Sequence, residues 1–402
     1  MKGGEAPRKT IEFIKGRFKD YYNEVDLYLP ERFGRREFGF MFFDADYVQR
    51  HMNFATKNEI KQYLVNRMPA HVYHSAAYYS KPGAPTMVQK DWLGADLIFD
   101  LDADHVIGAR KMTYEQMLSV VKTETTKLID DFLVGDFGFE EKDLVVAFSG
   151  GRGYHIHIRD PRVWPLSGHE RREIVDYILG TDMDEEAIFV KRPFERTPYG
   201  LKYKFEMPAV DEVGWRGRIA RGIGEEVELL KEMEKGEALA RLKSFEGVGH
   251  STAKELYDIL FEGEDGKTGY DYIKQGNLDI FPGDRYLNRF KKGFLSVVMD
   301  TRSGKTDEPV TSDVKRLIRL PTSLHGKTGF RVVLLSRSEL DDFDPLVEAV
   351  PATWSDDEVV LKGRSKASVK LKGETFNLED DIIRLPEYAA MFFMCRGMAT
   401  LA

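Results

Sequence analysis

Residues 97–104 read LIFDLDAD, a stretch that begins with three apolar side chains and carries three carboxylates in its last five positions. Alternate side chains of a β-strand share one face, so Asp100 and Asp102 point the same way with Cα atoms about 6.6 Å apart. Phe99 and Leu101 then face the core. Aligned carboxylates repel each other unless they are protonated, paired with cations or bound to a metal ion. The stretch predicts a buried strand that ends in a cation site, although a strand ending in solvated turn residues also fits it.

A glycine-rich motif, SGGRGYHIH at 149–157, stands between the strand patterns DLVVAF (143–148) and YHIHI (154–158). It predicts a hairpin with few side chains at its tip. Glycines permit positive φ and a close approach of the backbone to a ligand. An arginine at such a tip can grip a phosphate with two hydrogen bonds, and a histidine beside it can add a donor, so we identify Arg152 and His155 as candidates. A plain hairpin with an incidental arginine is the alternative.

A third cluster, DEPVTSDVKRLIRLPTSLHGKTGF, spans 307–330. Its GKT is not a phosphate-binding P-loop, because Pro321 stands where that motif needs glycine. A short helix is predicted at 314–317. Downstream of it stand three side chains that can bind phosphate, Arg319, His325 and Lys327. A carboxylate for metal ions followed by basic residues for phosphates would complement the first two motifs. Ordinary charged loop residues are the alternative.

Carboxylates in this arrangement suit Mg²⁺, which prefers hard oxygen ligands and retains water and phosphate oxygens. Two such ions about 3.5–4 Å apart would assist an in-line displacement at phosphorus. Asp307 is a candidate third carboxylate. Asp300 and Asp313 compete with it for this role, and the residues alone do not separate the three.

The composition limits the class of protein. The chain has 402 residues, 42% of them apolar, which is enough for a large core. Its apolar runs fall short of a membrane span, and the N-terminus lacks a signal core, so we expect a cytoplasmic, nucleoid-associated protein. The single cysteine, Cys395, excludes a disulfide framework. A net charge of −8 leaves room for a local basic groove that binds nucleic acid.

The order of helix and strand patterns predicts an α/β core in two segments, 1–180 and 291–402, with a mainly helical insertion at 181–290. Within the core, 113–133 is a predicted helix that starts with a capping box. Strand alternation returns at FLSVVMD (294–300) and FRVVLLS (330–336).

Two stretches of the insertion suit a single nucleic-acid strand. KRPFERTPYGLKYK (191–204) and WRGRIAR (215–221) interleave basic and aromatic residues, as stacking and phosphate pairing require, although a solvated charged loop also fits. FEGVGHSTAKELY (245–257) resembles a helix-hairpin-helix turn, in which backbone N–H groups meet phosphate. A glycine C-cap followed by a capped helix is its alternative.

Taken in order, LIFDLDAD, SGGRGYH and DEPVTSDVKRLIRLPTSLHGKTG resemble the motifs of the archaeo-eukaryotic primases, most closely those of archaeal small catalytic subunits. RREFGFMFFD (35–44) and HVYHSAAYYSKP (71–82) agree with this resemblance. The similarity covers roughly residues 35–160 and 294–335. It implies a primase-polymerase core with a mixed or antiparallel sheet, to which a helical insertion is added.

The resemblance also implies roles for individual residues. Asp100, Asp102 and Asp307 would be the catalytic carboxylates that hold two divalent ions, Mg²⁺ or Mn²⁺. The triphosphate of the incoming nucleotide would be held by Ser149, Arg152, His155, Arg319, His325 and Lys327. Glu37 and Arg50 match positions near the nucleotides.

The chain departs from its relatives in two respects. Many of them carry a zinc knuckle between the acidic strand and the glycine hairpin, whereas this interval has no cysteine, so we predict no structural zinc. Eukaryotic relatives place a second arginine before the one that matches Arg152, and here Gly151 stands there.

The activity implied is DNA-templated nucleotidyl transfer that synthesises short primers de novo on single-stranded DNA. Ribonucleoside or deoxyribonucleoside triphosphates would be the substrates, and a primase large subunit the partner in a heterodimer. A stand-alone primase-polymerase or a repair polymerase is the first alternative. A non-catalytic nucleotide-binding subunit and a metal-dependent nuclease are the others.

Overall fold

The computed structural model describes residues 5–105, 112–198, 200–263 and 267–402. The chain divides into two compact units. The core unit comprises Met1–Val134, Gly138–Val175 and Lys305–Ala402, and the insertion unit comprises Gly135–Phe137 and Asp176–Gly304. Among the described residues, no helix has the length and apolar character that crossing a membrane requires.

The strands of the described residues are β1 (Phe38–Met41), β2 (Val48–Met52), β3 (His71–Ser75), β4 (Ala77–Tyr79), β5 (Trp92–Ala95), β6 (Leu97–Asp102), β7 (Leu144–Phe148), β8 (Gly153–Ile158), β9 (Val190–Thr197), β10 (Gly200–Glu206), β11 (Leu317–Arg319), β12 (Val333–Leu335), β13 (Glu358–Gly363), β14 (Ala367–Leu371), β15 (Glu374–Leu378), β16 (Ile382–Pro386) and β17 (Ala399–Leu401). The helices are α1 (Glu5–Glu24), α2 (Lys57–Arg67), α3 (Met87–Lys90), α4 (Tyr114–Lys127), α5 (Gly168–Leu179), α6 (Glu185–Ile188), α7 (Gly214–Glu232), α8 (Lys235–Lys243), α9 (His250–Phe261), α10 (Gly269–Ile273), α11 (Asp284–Arg302), α12 (Glu308–Ser312), α13 (Arg337–Asp342), α14 (Pro345–Glu348) and α15 (Glu387–Cys395).

Two four-stranded antiparallel sheets form the centre of the core unit. One has the strand order β11-β3-β1-β2 and the other β12-β7-β8-β6. Smaller sheets, β16-β13-β17, β14-β15 and β4-β5, complete the unit. The fold class of an α/β core with antiparallel sheets is therefore confirmed.

The second of these sheets is buried on both faces, which explains its apolar sequence. All six residues of β8 are buried, as are Leu97, Ile98, Phe99 and Leu101 of β6. Burying each large apolar side chain contributes about 1.5–3 kcal/mol relative to leaving it in water. The acidic side chains of β6 therefore lie at the end of a strand that the core holds in place.

The predicted helix at 113–133 is confirmed and ends one residue later, at Val134. The Thr113 side chain accepts from the backbone of Gln116, whose own side chain accepts from the backbone of Thr113, which is the predicted capping box. After Lys127 the helix continues as a π-helix, Leu128–Val134.

The insertion unit is mainly helical. In α11 the buried apolar residues Leu287, Phe290, Phe294 and Val298 recur every three or four positions. Val298 packs against Gly222 of α7, where any larger side chain would collide with it. The unit also contains a hairpin that the sequence did not predict, formed by β9 and β10.

Two local predictions are wrong. Residues 294–300 belong to α11 and do not form a strand, because the short alternation in FLSVVMD is the end of a longer helical pattern that begins at Leu287. The helix predicted at 314–317 lies earlier, at Glu308–Ser312, where Pro309 occupies the first turn, a position that favours proline. Residues 317–319 instead pair with β3 as a strand.

Candidate active site

The pairing of β6 with β8 places the acidic strand beside the glycine hairpin. Asp100 lies opposite His155, and Asp102 lies opposite Gly153. His155 Nε2 is 3.4 Å from Asp100 Oδ1. Gly153 is required at its position because a Cβ there would collide with the carbonyl of Leu101. The two motifs therefore meet through strand register and not through chance proximity of loops.

The tip of the glycine hairpin is held by hydrogen bonds to its own backbone. Gly150 has φ of +74°, a conformation that favours glycine. Ser149 Oγ accepts from the N–H of Gly151 at 3.2 Å. The hydroxyl of Tyr114 donates to the carbonyl of Gly151, and that of Thr328 donates to the carbonyl of Gly150. Ser149 thus shapes the turn, in addition to the role in phosphate binding that the resemblance implies for it.

Asp100 lies in an unfavourable environment for a negative charge. Burial raises its pKa to about 7, and the neighbouring charges of Asp102 and Asp307 act in the same direction. The backbone N–H of Asp307 donates to the carbonyl of Asp100 at 3.0 Å, which joins the third motif to the acidic strand. The charges of Asp102 and Asp307 therefore both act against ionisation of Asp100.

The competing carboxylates lie elsewhere. Asp313 accepts a hydrogen bond from the backbone of Lys315 at 2.9 Å, and its charge acts on Arg50 and Tyr79. Asp300 belongs to α11 of the insertion unit. Of the three candidates, Asp307 is the one whose charge raises the pKa of Asp100.

Arg152 spans the acidic end of β6. Its Nη2 lies 3.1 Å from Asp102 Oδ1 and 2.6 Å from Asp104 Oδ2. The guanidinium therefore offsets part of the negative charge at the place where a phosphate-binding role was predicted for it.

Further cationic side chains line the same cavity as the carboxylates. Arg319 lies on β11 with its guanidinium 5.3 Å from the centre of the Tyr73 ring, and its Nη1 is 2.7 Å from His71 Nδ1. His71 Nδ1 also accepts from the N–H of Gly326 at 3.2 Å. Lys327 follows with an exposed side chain.

The histidines of the site are neutral. Burial, together with the charges of Arg319 and Arg316, lowers the pKa of His155 to about 3. Burial also lowers the pKa of His325 far below its ordinary value. His71 is kept neutral by burial and by Arg319, so its Nδ1 is available as an acceptor for that arginine. Positive charge in the cavity therefore comes from arginine and lysine.

Eight of the nine predicted site residues line one cavity of about 960 Å³. The ninth, Asp307, contacts the cavity-lining strand through the backbone of Asp100. Sequence reasoning missed several lining residues, of which the polar and charged ones are Tyr73, Arg316, Thr328 and Arg396. Arg316 sits three residues before Arg319, a signal that the sequence contains. Arg396 is distant in the chain, and no local pattern marks it.

Glu37 and Arg50 pair with each other. Arg50 Nε and Nη2 donate to the two carboxylate oxygens of Glu37 at 3.0 and 3.1 Å, and the N–H of His51 donates to the same carboxylate. Neither residue lines the cavity described above. Their predicted place near the nucleotides stays a prediction.

Among the described residues, no three carboxylate, imidazole or thiolate groups are arranged closely enough to hold a metal ion. The oxygen donors of Asp100 and Asp102 nevertheless suit Mg²⁺ or Mn²⁺ chemically. The raised pKa of Asp100 shows that positive charge beside it would be stabilising.

Comparison with known proteins agrees with this geometry. The model of the DNA primase small subunit family matches residues 99–336, which contain all nine predicted site residues. The chain belongs to the DNA primase small subunit family. DNA primase small subunit PriS of Methanococcoides burtonii is 43% identical over 400 residues, covering 97% of this chain and 98% of that protein. The PriS proteins of Methanocella arvoryzae and Halobacterium salinarum are 42% and 39% identical, with 97% and 98% of this chain covered and 98% and 99% of theirs.

The resemblance drawn from the three motifs is thereby confirmed, as is the enzyme class of a DNA primase. The relatives match over nearly the full length of the chain, so the similarity extends through the insertion and the tail, which the motifs alone did not cover.

Proposed function

We propose that this primase synthesises short primers de novo by DNA-templated nucleotidyl transfer on single-stranded DNA, with two divalent cations as cofactors. One observation supports this most directly. A single cavity is lined by the β6 carboxylates Asp100 and Asp102 together with Arg152, Arg319 and Lys327. Cleavage of a strand needs no pocket for a triphosphate tail, so the basic set favours synthesis over a nuclease.

The carboxylates Asp100, Asp102 and Asp307 would hold Mg²⁺ or Mn²⁺. When bound, the cations supply positive charge that favours ionisation of a 3′-hydroxyl and stabilises the leaving pyrophosphate. Arg152 already pairs with Asp102, so cation binding at Asp102 competes with that ion pair.

The protein side chains bind and orient the nucleotide. Arg152, Arg319 and Lys327 carry the charge that pairs with a triphosphate, and arginine can do so with two parallel hydrogen bonds. Holding the tail aligns the α-phosphorus with the attacking hydroxyl. The hydroxyl loses its proton and its oxygen bonds to that phosphorus, while the bond to the bridging oxygen breaks and pyrophosphate leaves.

The partners follow from the chemistry and from the names of the relatives. A templated enzyme takes nucleoside triphosphates, either ribonucleotides or deoxyribonucleotides, and a single strand that directs their order. The word "small subunit" in the relatives' names supports a heterodimer with a primase large subunit. We also propose that the protein works in the cytoplasm at the nucleoid.

The decisive experiment is incubation with unprimed homopolymer DNA, labelled nucleotide and Mg²⁺ or Mn²⁺, with wild type and Asp102→Ala side by side. We expect short products from the wild type and a loss of synthesis of about 10³-fold or more in the variant. Synthesis at a comparable rate in the variant would contradict the role of the carboxylates. Products that appear only when a primer is supplied would favour a stand-alone or repair polymerase.

A further inference from the structure

The β9–β10 hairpin of the insertion unit leaves aromatic and cationic side chains in water. Phe194 is 53% exposed, Leu201 49% and Tyr203 43%. Every residue of β9 from Lys191 to Arg196 is exposed. A two-stranded ribbon of this kind has little stability of its own, and large apolar side chains on it mark a surface that binds something.

Both faces of the ribbon combine an aromatic ring with a lysine. Lys204 lies opposite Arg192, and its Nζ is 5.8 Å from the centre of the Phe194 ring. On the other face, the Nζ of Lys191 is 4.6 Å from the centre of the Tyr203 ring. Rings of this kind stack on bases, and the adjacent ammonium groups pair with phosphates.

The charge of the ribbon selects the class of partner. Residues 190–206 carry five basic side chains (Lys191, Arg192, Arg196, Lys202, Lys204) and two acidic ones (Glu195, Glu206), in a chain whose net charge is −8. One of the acids, Glu206, is paired with Arg192 at 3.0 Å. The sequence of the ribbon thus has an excess of three positive charges, which together with the exposed rings complements a polyanion that has accessible bases.

The neighbouring cleft does not share this character. A cavity of about 1060 Å³ in the insertion unit includes Arg192 and Lys204 in its lining but also the acids Glu206, Asp211, Glu212, Glu225, Glu228 and Glu232. Its acids offset its cations, and Phe194 and Tyr203 do not line it. The two exposed rings therefore lie outside this cleft, and Lys204 lies between the cleft and the Phe194 ring.

We propose that this part of the hairpin, with Lys191, Phe194, Tyr203 and Lys204 at its centre, binds single-stranded nucleic acid without sequence preference. Bases stack on the two rings, and the two lysines contact the phosphates. The identity of the strand bound in the cell rests on the proposed function, because the template of a primase is single-stranded DNA. The binding surface itself follows from exposure, charge and ring geometry.

The test is fluorescence anisotropy of labelled dT30 and U30 with the full chain, without nucleotide or divalent metal. We compare the wild type with Phe194→Ala/Tyr203→Ala and with Lys191→Ala/Lys204→Ala. Ile382→Ala/Lys366→Ala, at exposed core-unit positions (65% for Ile382, 80% for the Lys366 side chain), is the control. Thermal unfolding and circular dichroism verify that each variant is folded.

Removing both rings should weaken binding by at least about tenfold at all salt concentrations. Removing both lysines should reduce the slope of log affinity against log salt by about 1.4, since each phosphate contact on a single strand contributes roughly 0.7. The control should bind as the wild type does. Comparison of dT30 with U30 shows whether the hairpin prefers the template type of strand or the product type.

Unchanged affinity in the ring variant, with both oligonucleotides and with the fold retained, would overturn the proposal. Retained oligonucleotide binding together with lost binding to a purified large subunit would also overturn it, because the surface would then be a protein interface. The binding assay contains no nucleotide and is therefore independent of primer synthesis. A chain that binds the oligonucleotides but makes no primer in the synthesis assay would contradict the proposed function and leave the hairpin assignment standing.

Discussion

The active-site cavity and the insertion unit both carry many charges, but they hold them in different ways. In the cavity, burial governs ionisation. It raises the pKa of Asp100 and lowers those of His155 and His325. On the insertion unit, the Lys274–Glu228 pair, 2.9 Å apart, is exposed, and hydrogen bonds lower the pKa of Glu228 and raise that of Lys274.

Exposed charge pairs are nearly neutral for the stability of the fold, whereas the carboxylates of the cavity destabilise it. An exposed pair keeps both partners hydrated and changes stability little when it is lost. The partly buried carboxylates of β6 are held together against their repulsion by the strand register and the core beneath them. Such an arrangement is typical of a site whose charges serve a ligand.

The largest expected effect concerns the third carboxylate. Asp307→Asn should reduce primer synthesis by about 10³-fold, because it removes a charge that would hold a cation beside Asp100. Asp313→Asn is the matched control and should retain near wild-type activity. Product yield on an unprimed template measures both. Equal loss of synthesis in the two variants would contradict the assignment of Asp307, rather than Asp313, as the third carboxylate.

A smaller effect is expected at His71, which we describe as a positioning residue. His71→Phe removes the acceptor for Arg319 Nη1 and for the N–H of Gly326, so the KM for nucleotide should rise about 10- to 100-fold while kcat changes less. His71→Asn keeps an acceptor and should restore most of the affinity. Steady-state kinetics measures both constants, and a fall in kcat alone, with KM unchanged, would contradict the positioning role.

The smallest effect is on stability. Because the pKa of Asp100 is raised to about 7 in the folded state, its charge destabilises the fold as pH rises from about 4 to 7 and by a constant amount above that. Asp100→Asn should therefore raise the free energy of unfolding at pH 8 by about 1–3 kcal/mol, with no gain below pH 4.

Chemical denaturation in EDTA at several pH values tests this prediction. Lys274→Ala is the control from the insertion unit. Its effect on stability should not vary between pH 5 and 8, because both partners of that pair stay ionised there. A gain from Asp100→Asn that is equally large at pH 4 would show that the side chain acts through packing and not through its charge.

Much of the site was predictable from local sequence. The carboxylates of LIFDLDAD, the glycine turn and the basic residues around Arg319 are each marked by residue type and spacing, and eight of the nine named side chains line one cavity. No local pattern marks His71 or Arg396, because their roles depend on contacts with residues far away in the chain.

The errors in the fold have the same origin. FLSVVMD alternates over a few residues, yet it ends a helix whose apolar face becomes visible only when the pattern is followed back to Leu287. Residues 191–204 were predicted as a surface for a single nucleic-acid strand, with a solvated charged loop as the alternative. Neither interpretation included a hairpin, because exposed strands lack the alternation between apolar and polar residues that burial imposes.

The sequence by itself determined the chemistry that is available: which side chains can be charged, which strand is apolar enough to be buried, and which turns need glycine. The tertiary structure decided which charges meet. Antiparallel pairing of β6 with β8 placed Asp100 opposite His155. Asp307, more than two hundred positions further along the chain, reaches the same strand through the hydrogen bond from its N–H to the carbonyl of Asp100. Local residue preferences act over a few positions, whereas repulsion between carboxylates and the pKa shift that follows depend on distances that only the folded chain sets.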